Sequence, residues 1–174
     1  MKIQNCAENK LGVNLKIMIK YKEYFGPNKD AFFVREKVFI NECGVSRESE
    51  YDEYDRDSYQ IVIYVDDMPV ATGRMFLDNG VDHIGRICVL KEFRGKGLAE
   101  IVVGLLLKKA QEDDTEKCYL TGRTYVLQLY RNFGFKETGE PFIHDDMEQY
   151  SMYVSKKDII YPKRFTEFIK GICG

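Results

Sequence analysis

The chain has 174 residues, 44% of them hydrophobic, a formal net charge of −2 and an isoelectric point near 5.8. That length suits one domain with a single buried core, and the near balance of charge lacks the basic excess expected of a nucleic-acid-binding protein. The five cysteines (Cys6, Cys43, Cys88, Cys118 and Cys173) form no C-x-x-C pair, so they set out neither a disulfide framework nor a metal site and read as reduced cytoplasmic thiols.

The first ten residues carry no apolar leader, and the longest apolar run, Ile101 to Leu107 with Gly104 inside it, is too short to cross a bilayer. The expected setting is cytoplasmic, with no membrane partner. Leu15 to Tyr21 alternates apolar and cationic residues and predicts a first strand with one buried face, preceded by loose chain. From Asp30 as N-cap, the run to Gly44 predicts a helix whose apolar residues are too dense for a single buried stripe. Ser46 to Asp57 follows as an acidic loop or short helix. Such a charge run is either a solvated face or an acidic rim that attracts a cationic amine.

Tyr59 to Val65, Met68 to Phe76 and Val81 to Val89 predict a three-stranded antiparallel meander, turning at Asp66-Asp67 and Asp78-Asn79-Gly80. Pro69 stands where a strand start tolerates it, and Gly85 marks a bulge or a close backbone approach. Ile87 to Leu90 has the apolar content of a buried strand, whereas Leu98, Ile101, Val102, Leu105 and Leu106 recur at helical spacing. Gly95 and Gly97 therefore occupy a strand-to-helix junction.

The first N–H groups of a helix have no partner within it and carry the positive end of its dipole. Glycine lets that backbone approach an anion closely, and each N–H on a charged oxygen contributes roughly 1.5 to 3 kcal/mol. Arg94 and Lys96 offer countercharge. The junction is not a P-loop, because Gly97 stands where that motif requires serine or threonine, and Glu100 replaces the third glycine of a dinucleotide fingerprint. Arg94, Gly97 and Ala99 do satisfy [QR]-x-x-G-x-[GA].

The helix is expected to run to about Gln111, followed by a strand at Cys118 to Thr121 paired in parallel through a right-handed crossover. Val126, Leu127, Tyr130 and Phe133 mark a short helix closed by Gly134, and Phe135 to Gly139 and Gln149 to Val154 predict closing strands. Residues 156–174 read as a helical extension to a domain of residues 1–155. Its stripe of Phe165, Phe168, Ile169 and Ile172 is covered either by that domain or by a second copy in a homodimer.

The junction resembles motif A of the GNAT superfamily of N-acetyltransferases, and L-Y-R-N-F-G-F, Leu129 to Phe135, resembles the F-Y-x-x-x-G-F that the family places about 35 residues further on. V-R-E-K-V-F-I-N-E-C-G (Val34 to Gly44), V-A-T-G-R-M (Val70 to Met75) and I-G-R-I-C-V (Ile84 to Val89) are similar to segments of its ElaA-like branch. The resemblance covers Leu15 to Val154. Cys43 replaces the branch's glutamine, and Ile143 to Glu148 lacks its G-[IV]-P-H pattern, although His144 is nearby; both departures bear on the acceptor.

The resemblance implies an α+β (α/β/α) fold with a mixed, mostly antiparallel sheet flanked by helices. It further implies acetyl-CoA as cosubstrate, an amine acceptor and no metal. Arg94, Gly95, Lys96, Gly97, Leu98 and Ala99 would bind the diphosphate. Ile87, Cys88 and Val89 would hold the pantetheine arm, and Tyr130 would be the general acid. Cys88 as an acyl-carrying nucleophile is possible chemistry, but a buried cysteine is usually inert packing. Candidate bases are Glu42, Asp55, Asp82 and His83, or a water relay. The alternatives are a noncatalytic acyl-CoA-binding module and acyl-homoserine lactone synthesis on a related fold. The residues do not choose among a polyamine, an amino acid, an antibiotic or a protein lysine as acceptor.

Overall fold

Strand pairing around two tight turns organises the chain, whose computed structural model describes residues 2–5, 18–113, 115–144 and 146–173. The strands are β1 (Lys2–Asn5), β2 (Met18–Phe25), β3 (Tyr59–Val65), β4 (Met68–Asp78), β5 (Val81–Val89), β6 (Lys117–Arg123), β7 (Lys136–Glu137), β8 (Phe142–His144) and β9 (Met147–Ser155). The helices are α1 (Lys29–Arg35), α2 (Arg47–Glu50), α3 (Leu98–Ala110), α4 (Leu127–Arg131) and α5 (Lys163–Cys173). Among the described residues the sheet runs β1-β2-β3-β4-β5-β6-β9-β7, with β8 also pairing β9. Every pairing is antiparallel except β5 with β6, so the fold is the expected mixed, mostly antiparallel sheet flanked by helices.

The meander stands as predicted. Asp66 and Asp67 have φ of 48° and 70°, and Asn79 and Gly80 have 49° and 77°, the left-handed pairs that match the twist of a two-residue hairpin. Thr72 pairs with Cys88 but Arg74 pairs with Gly85, which leaves Arg86 and Ile87 opposite Gly73. The bulge expected at Gly85 thus begins one residue later, at Arg86 with φ of 53°. On the other side of the strand, parallel pairing to β6 is confined to Asp82 with Cys118 and His83 with Tyr119. Beyond that point β5 and β6 part. α3 lies against β4, where a Cβ on Gly73 would come within 2.6 Å of Val102.

Several boundaries differ from expectation. The first predicted strand is β2, shifted toward the C-terminus. Leu15 lies outside the described residues, as do Cys6 and the side chains of Ile172 and Cys173. The chain expected to be loose before it contains β1, paired with β2. α1 is capped by Asn28, whose side chain accepts from the N–H groups of Asp30 (2.9 Å) and Ala31 (3.1 Å). Asp30 instead accepts the Tyr64 hydroxyl at 2.7 Å. The helix continues through a π-helical segment, Glu36–Glu42, and stops at Gly44 with φ of 73°. β8 was not predicted, and Phe135 to Gly139 shrinks to β7.

The largest correction concerns the acidic segment. Glu50 and Asp55 are 2% and 5% exposed and face Arg35, itself 1% exposed. Arg35 donates to Glu50 at 2.6 Å and to Asp55 at 2.5 Å, Arg74 donates to Asp52 at 2.5 Å and to Asp55 at 2.7 Å, and Arg86 reaches Glu50 and Asp52 at 3.1 Å. Glu50, Asp52 and Asp55 are therefore neutralised by arginines and do not form an open acidic rim. On the far side of the sheet, Phe165 of α5 is buried and packs over Gly104 near Phe133 and Tyr161, and Phe168 lies beside Tyr21.

Candidate active site

The parting of β5 from β6 leaves the edge of β5 that faces away from β4 without a strand partner among the described residues along Gly85 to Val89. Ile87, Cys88 and Val89 all lie on this edge, so the structure brings the expected pantetheine-binding residues together. Cys88 is buried, and burial pushes its thiol well above the ordinary range. Burial therefore disfavours its thiolate, which argues for packing and against a nucleophile. α4 fills the wedge between the strands from one side. Gly122 on β6 permits this, because a Cβ there would meet the Tyr130 ring at 2.8 Å.

At the C-terminal end of β5 the chain makes a short 3-10 turn at Lys91–Phe93 and enters α3 through Gly95 and Gly97, at φ of 73° and 80°. Gly97 is the N-cap and no side chain caps the helix. Ile101 N–H is bonded back to the Gly97 carbonyl at 3.2 Å, so the amides of Leu98, Ala99 and Glu100 are left as free donors of the first turn. They face a concavity that is also lined by Val89, Phe93, Leu129 and Arg164. In this respect the strand–turn–helix reading holds.

The countercharges are disposed differently from the expectation. Arg94 grips Glu42 with two 2.7 Å bonds and donates through Nε to the Val89 carbonyl at 3.0 Å, bracing the end of the π-helical segment against β5. Lys96 lies over the Phe93 ring at 4.9 Å. Arg164, which no local motif marks, lies against Gly97: a Cβ at that glycine would sit 2.9 Å from its Cζ.

A second cleft adjoins the open edge. Ile87, Phe39, Gly122, Val126 and Tyr130 line it together with the polar residues Arg86, Arg123 and Gln149. The Tyr130 hydroxyl has no hydrogen-bond partner among the described residues, its ring meets Phe135 edge-on at 6.0 Å, and burial raises its pKa. It is a protonated donor with no acceptor among the described residues.

None of the named candidate bases lines this cleft. Glu42 is held below the usual carboxylate range by its hydrogen bonds to Arg94, which makes it a poor proton acceptor. Asp55 lies in the arginine cluster, and Asp82 is buried and bonded to Thr115. His83 is stacked between Phe76 and Tyr119 at 5.3 and 5.8 Å. Two acid–base groups outside the candidate bases, Glu50 and His144, do line it. Burial raises the pKa of Glu50, but Arg35 and Arg86 face its carboxylate.

Comparison with known proteins gives a concordant result. The model of the acetyltransferase (GNAT) domain matches residues 28–156. The uncharacterized N-acetyltransferase YjcF of Bacillus subtilis is 37% identical over 112 residues, covering 64% of this chain and 80% of that protein. Escherichia coli ElaA superposes with a TM-score of 0.70 at 21% identity, over 78% of this chain and 99% of its own. A GNAT family acetyltransferase from Elizabethkingia anophelis, solved with acetyl-CoA bound, superposes with a TM-score of 0.62 at 15% identity, over 79% of this chain and 97% of that one. Among the described residues no cluster of metal-ligating side chains occurs, and no helix is long and apolar enough to cross a membrane.

Proposed function

The chain belongs to the GNAT acetyltransferase family and is an acyl-CoA-dependent N-acetyltransferase, and from that premise we propose that acetyl-CoA is the donor, a primary amine the acceptor and Tyr130 the general acid. The diphosphate sits on the amides of Leu98 to Glu100, and the pantetheine arm extends along Ile87 to Val89, where backbone donors lack a strand partner. An N–H of this edge faces the thioester carbonyl as its oxygen gains charge. The acceptor enters through the cleft lined by Phe39, Arg123 and Tyr130.

A lysine-like amine is neutral in only about one molecule in a thousand at pH 7, so the acceptor must lose a proton before attack. Water in the cleft takes that proton, since Glu50 is committed to arginines. The nitrogen then forms a bond to the thioester carbon, the carbonyl oxygen takes up the displaced electron pair, and the nitrogen passes its second proton to water. On collapse the C–S bond breaks, the sulfur leaves with its electrons, and Tyr130 donates its proton to it and is reprotonated from solvent.

The observation that carries this reading is Tyr130, which lines the cleft beside the open edge of β5 and whose hydroxyl has no hydrogen-bond partner among the described residues. The test is incubation of the protein with acetyl-CoA and a panel of amines, following free thiol. Amine-dependent thiol release with a matching N-acetyl product is expected. Calorimetric binding of CoA without release for any amine would instead favour a noncatalytic acyl-CoA-binding module.

A further inference from the structure

We propose that Arg164, in the first turn of α5 and beyond the matched domain, binds the diphosphate of acetyl-CoA, so that the C-terminal extension completes the cosubstrate site. This rests on the acetyl-CoA reading above. Gly97 opens the N-terminus of α3, and the space its missing side chain leaves is where the guanidinium lies, with Nη1, Cδ and Cζ nearest. The group is exposed, yet it makes no hydrogen bond or ion pair with any described residue. A cation is thus held over the anion-receiving end of a helix without an acid of its own.

The other cations of the junction are already engaged. Arg94 is tied to Glu42 through both terminal nitrogens, and Lys96 lies over Phe93. Glu100 lines the same concavity, and its Oε1 is buried without a donor among the described residues. A carboxylate there repels a diphosphate unless a nearby cation offsets it. Arg164 is the guanidinium placed to do so, and its planar fork presents paired N–H groups that match two phosphate oxygens. Its position is fixed from behind, because the next residue, Phe165, is buried over Gly104 and stacks on Tyr161 at 5.1 Å. Little helix freedom remains to be lost on binding.

The experiment compares the full-length wild type with Arg164→Ala and Arg164→Lys by calorimetry against CoA and dephospho-CoA. The same proteins are assayed with acetyl-CoA and with S-acetylpantetheine, which lacks the diphosphate. Arg164→Ala is expected to weaken CoA and dephospho-CoA alike, by about 10- to 100-fold, and to flatten the salt dependence of binding. Its kcat at saturating acetyl-CoA and its kcat/KM for S-acetylpantetheine should stay at wild-type values, and Arg164→Lys should recover part of the affinity. CoA affinity within twofold of wild type in Arg164→Ala overturns the proposal. So does an equal loss with S-acetylpantetheine, which would mean that α5 has merely come loose, or a loss confined to CoA, which would move the contact to the 3′-phosphate. Wild-type protein that gives no heat with CoA refutes the acetyl-CoA reading itself and takes this inference with it.

Discussion

Tyr130→Phe removes one oxygen from the cleft and separates chemistry from structure. Because that hydroxyl has no hydrogen-bond partner among the described residues, its loss should change folding stability by no more than about 0.5 kcal/mol. Tyr64 supplies the contrast, since its hydroxyl donates to Asp30 at 2.7 Å and lies 2.8 Å from that of Tyr24. Tyr64→Phe should cost roughly 1 to 2 kcal/mol in urea unfolding while leaving turnover alone. A positioned general acid is worth about 100- to 10,000-fold in rate, or roughly 2.7 to 5.5 kcal/mol of barrier. A thiolate, whose conjugate acid has a pKa near 8.5, is a fair leaving group even unaided, so the expected loss lies near the lower end, about 100-fold in kcat. Acetyl-CoA affinity should be unchanged. Burial raises the phenol's pKa, so it remains the protonated, donating form through neutral pH and above, and the wild-type rate should not fall on its account until beyond about pH 10. Free-thiol release gives kcat and KM, and calorimetry gives affinity. A kcat within about threefold of wild type, or a rise in KM with kcat held, would refute the role.

Three further outcomes follow from the packing. Asp55 would be raised by burial alone, but Arg35 and Arg74 outweigh that and hold it low, whereas for Glu50 burial prevails over its arginines. The Asp55 contribution is therefore present above its unfolded pKa of about 3.9 and lost as pH falls through its lower folded value, while the Glu50 shift acts in the opposite sense, favouring the fold at low pH and losing that effect as pH rises. Asp55→Asn should cost about 3 to 5 kcal/mol at pH 7, Glu50→Gln less than half of that, and the gap should narrow as pH falls below about 3.9; equal costs at pH 7 would contradict the assignment. Gly104→Leu should drive Phe165 out, because even a Cβ would lie 2.5 Å from its Cε2. Limited proteolysis should then clip α5 faster and CoA affinity should fall with it. His83→Gln, away from the cleft, should keep kcat within about twofold and lower stability by roughly 1 kcal/mol through the lost ring stack, which a thermal melt would detect.

The features legible in the sequence are those written in neighbouring residues. Asn79-Gly80 encodes a left-handed turn, Gly95 to Ala99 encodes a helix entry open to an anion, and the spacing from Leu98 to Leu106 encodes the helix behind it. The parallel partner at Cys118 then follows from the handedness of crossover connections. Where the reading went astray, the deciding partner was far away in the chain. Ser46 to Asp57 shows a run of acids, but nothing local reveals that Arg35, Arg74 and Arg86 come from three other elements to neutralise them. The N-cap is Asn28 and not Asp30, although the two are equally good caps by type, because the Tyr64 hydroxyl on β3 draws Asp30 away.

The same distance explains why the chemistry of the site was harder to read than its location. Glu42 lies within a recognisable motif, as a candidate base does, yet its carboxylate meets Arg94, 52 positions later, and is held there as a strut. One contact thus withdraws a candidate base and a candidate phosphate ligand together. The junction is left with backbone donors and a Glu100 carboxylate whose Oε1 has no donor among the described residues, and a diphosphate occupies it best where positive charge is supplied from another element. The glycine at 97 serves both needs, since its φ of 80° starts the helix and its bare α-carbon admits Arg164. Substitution there should therefore impair CoA binding more than loss of either contact alone.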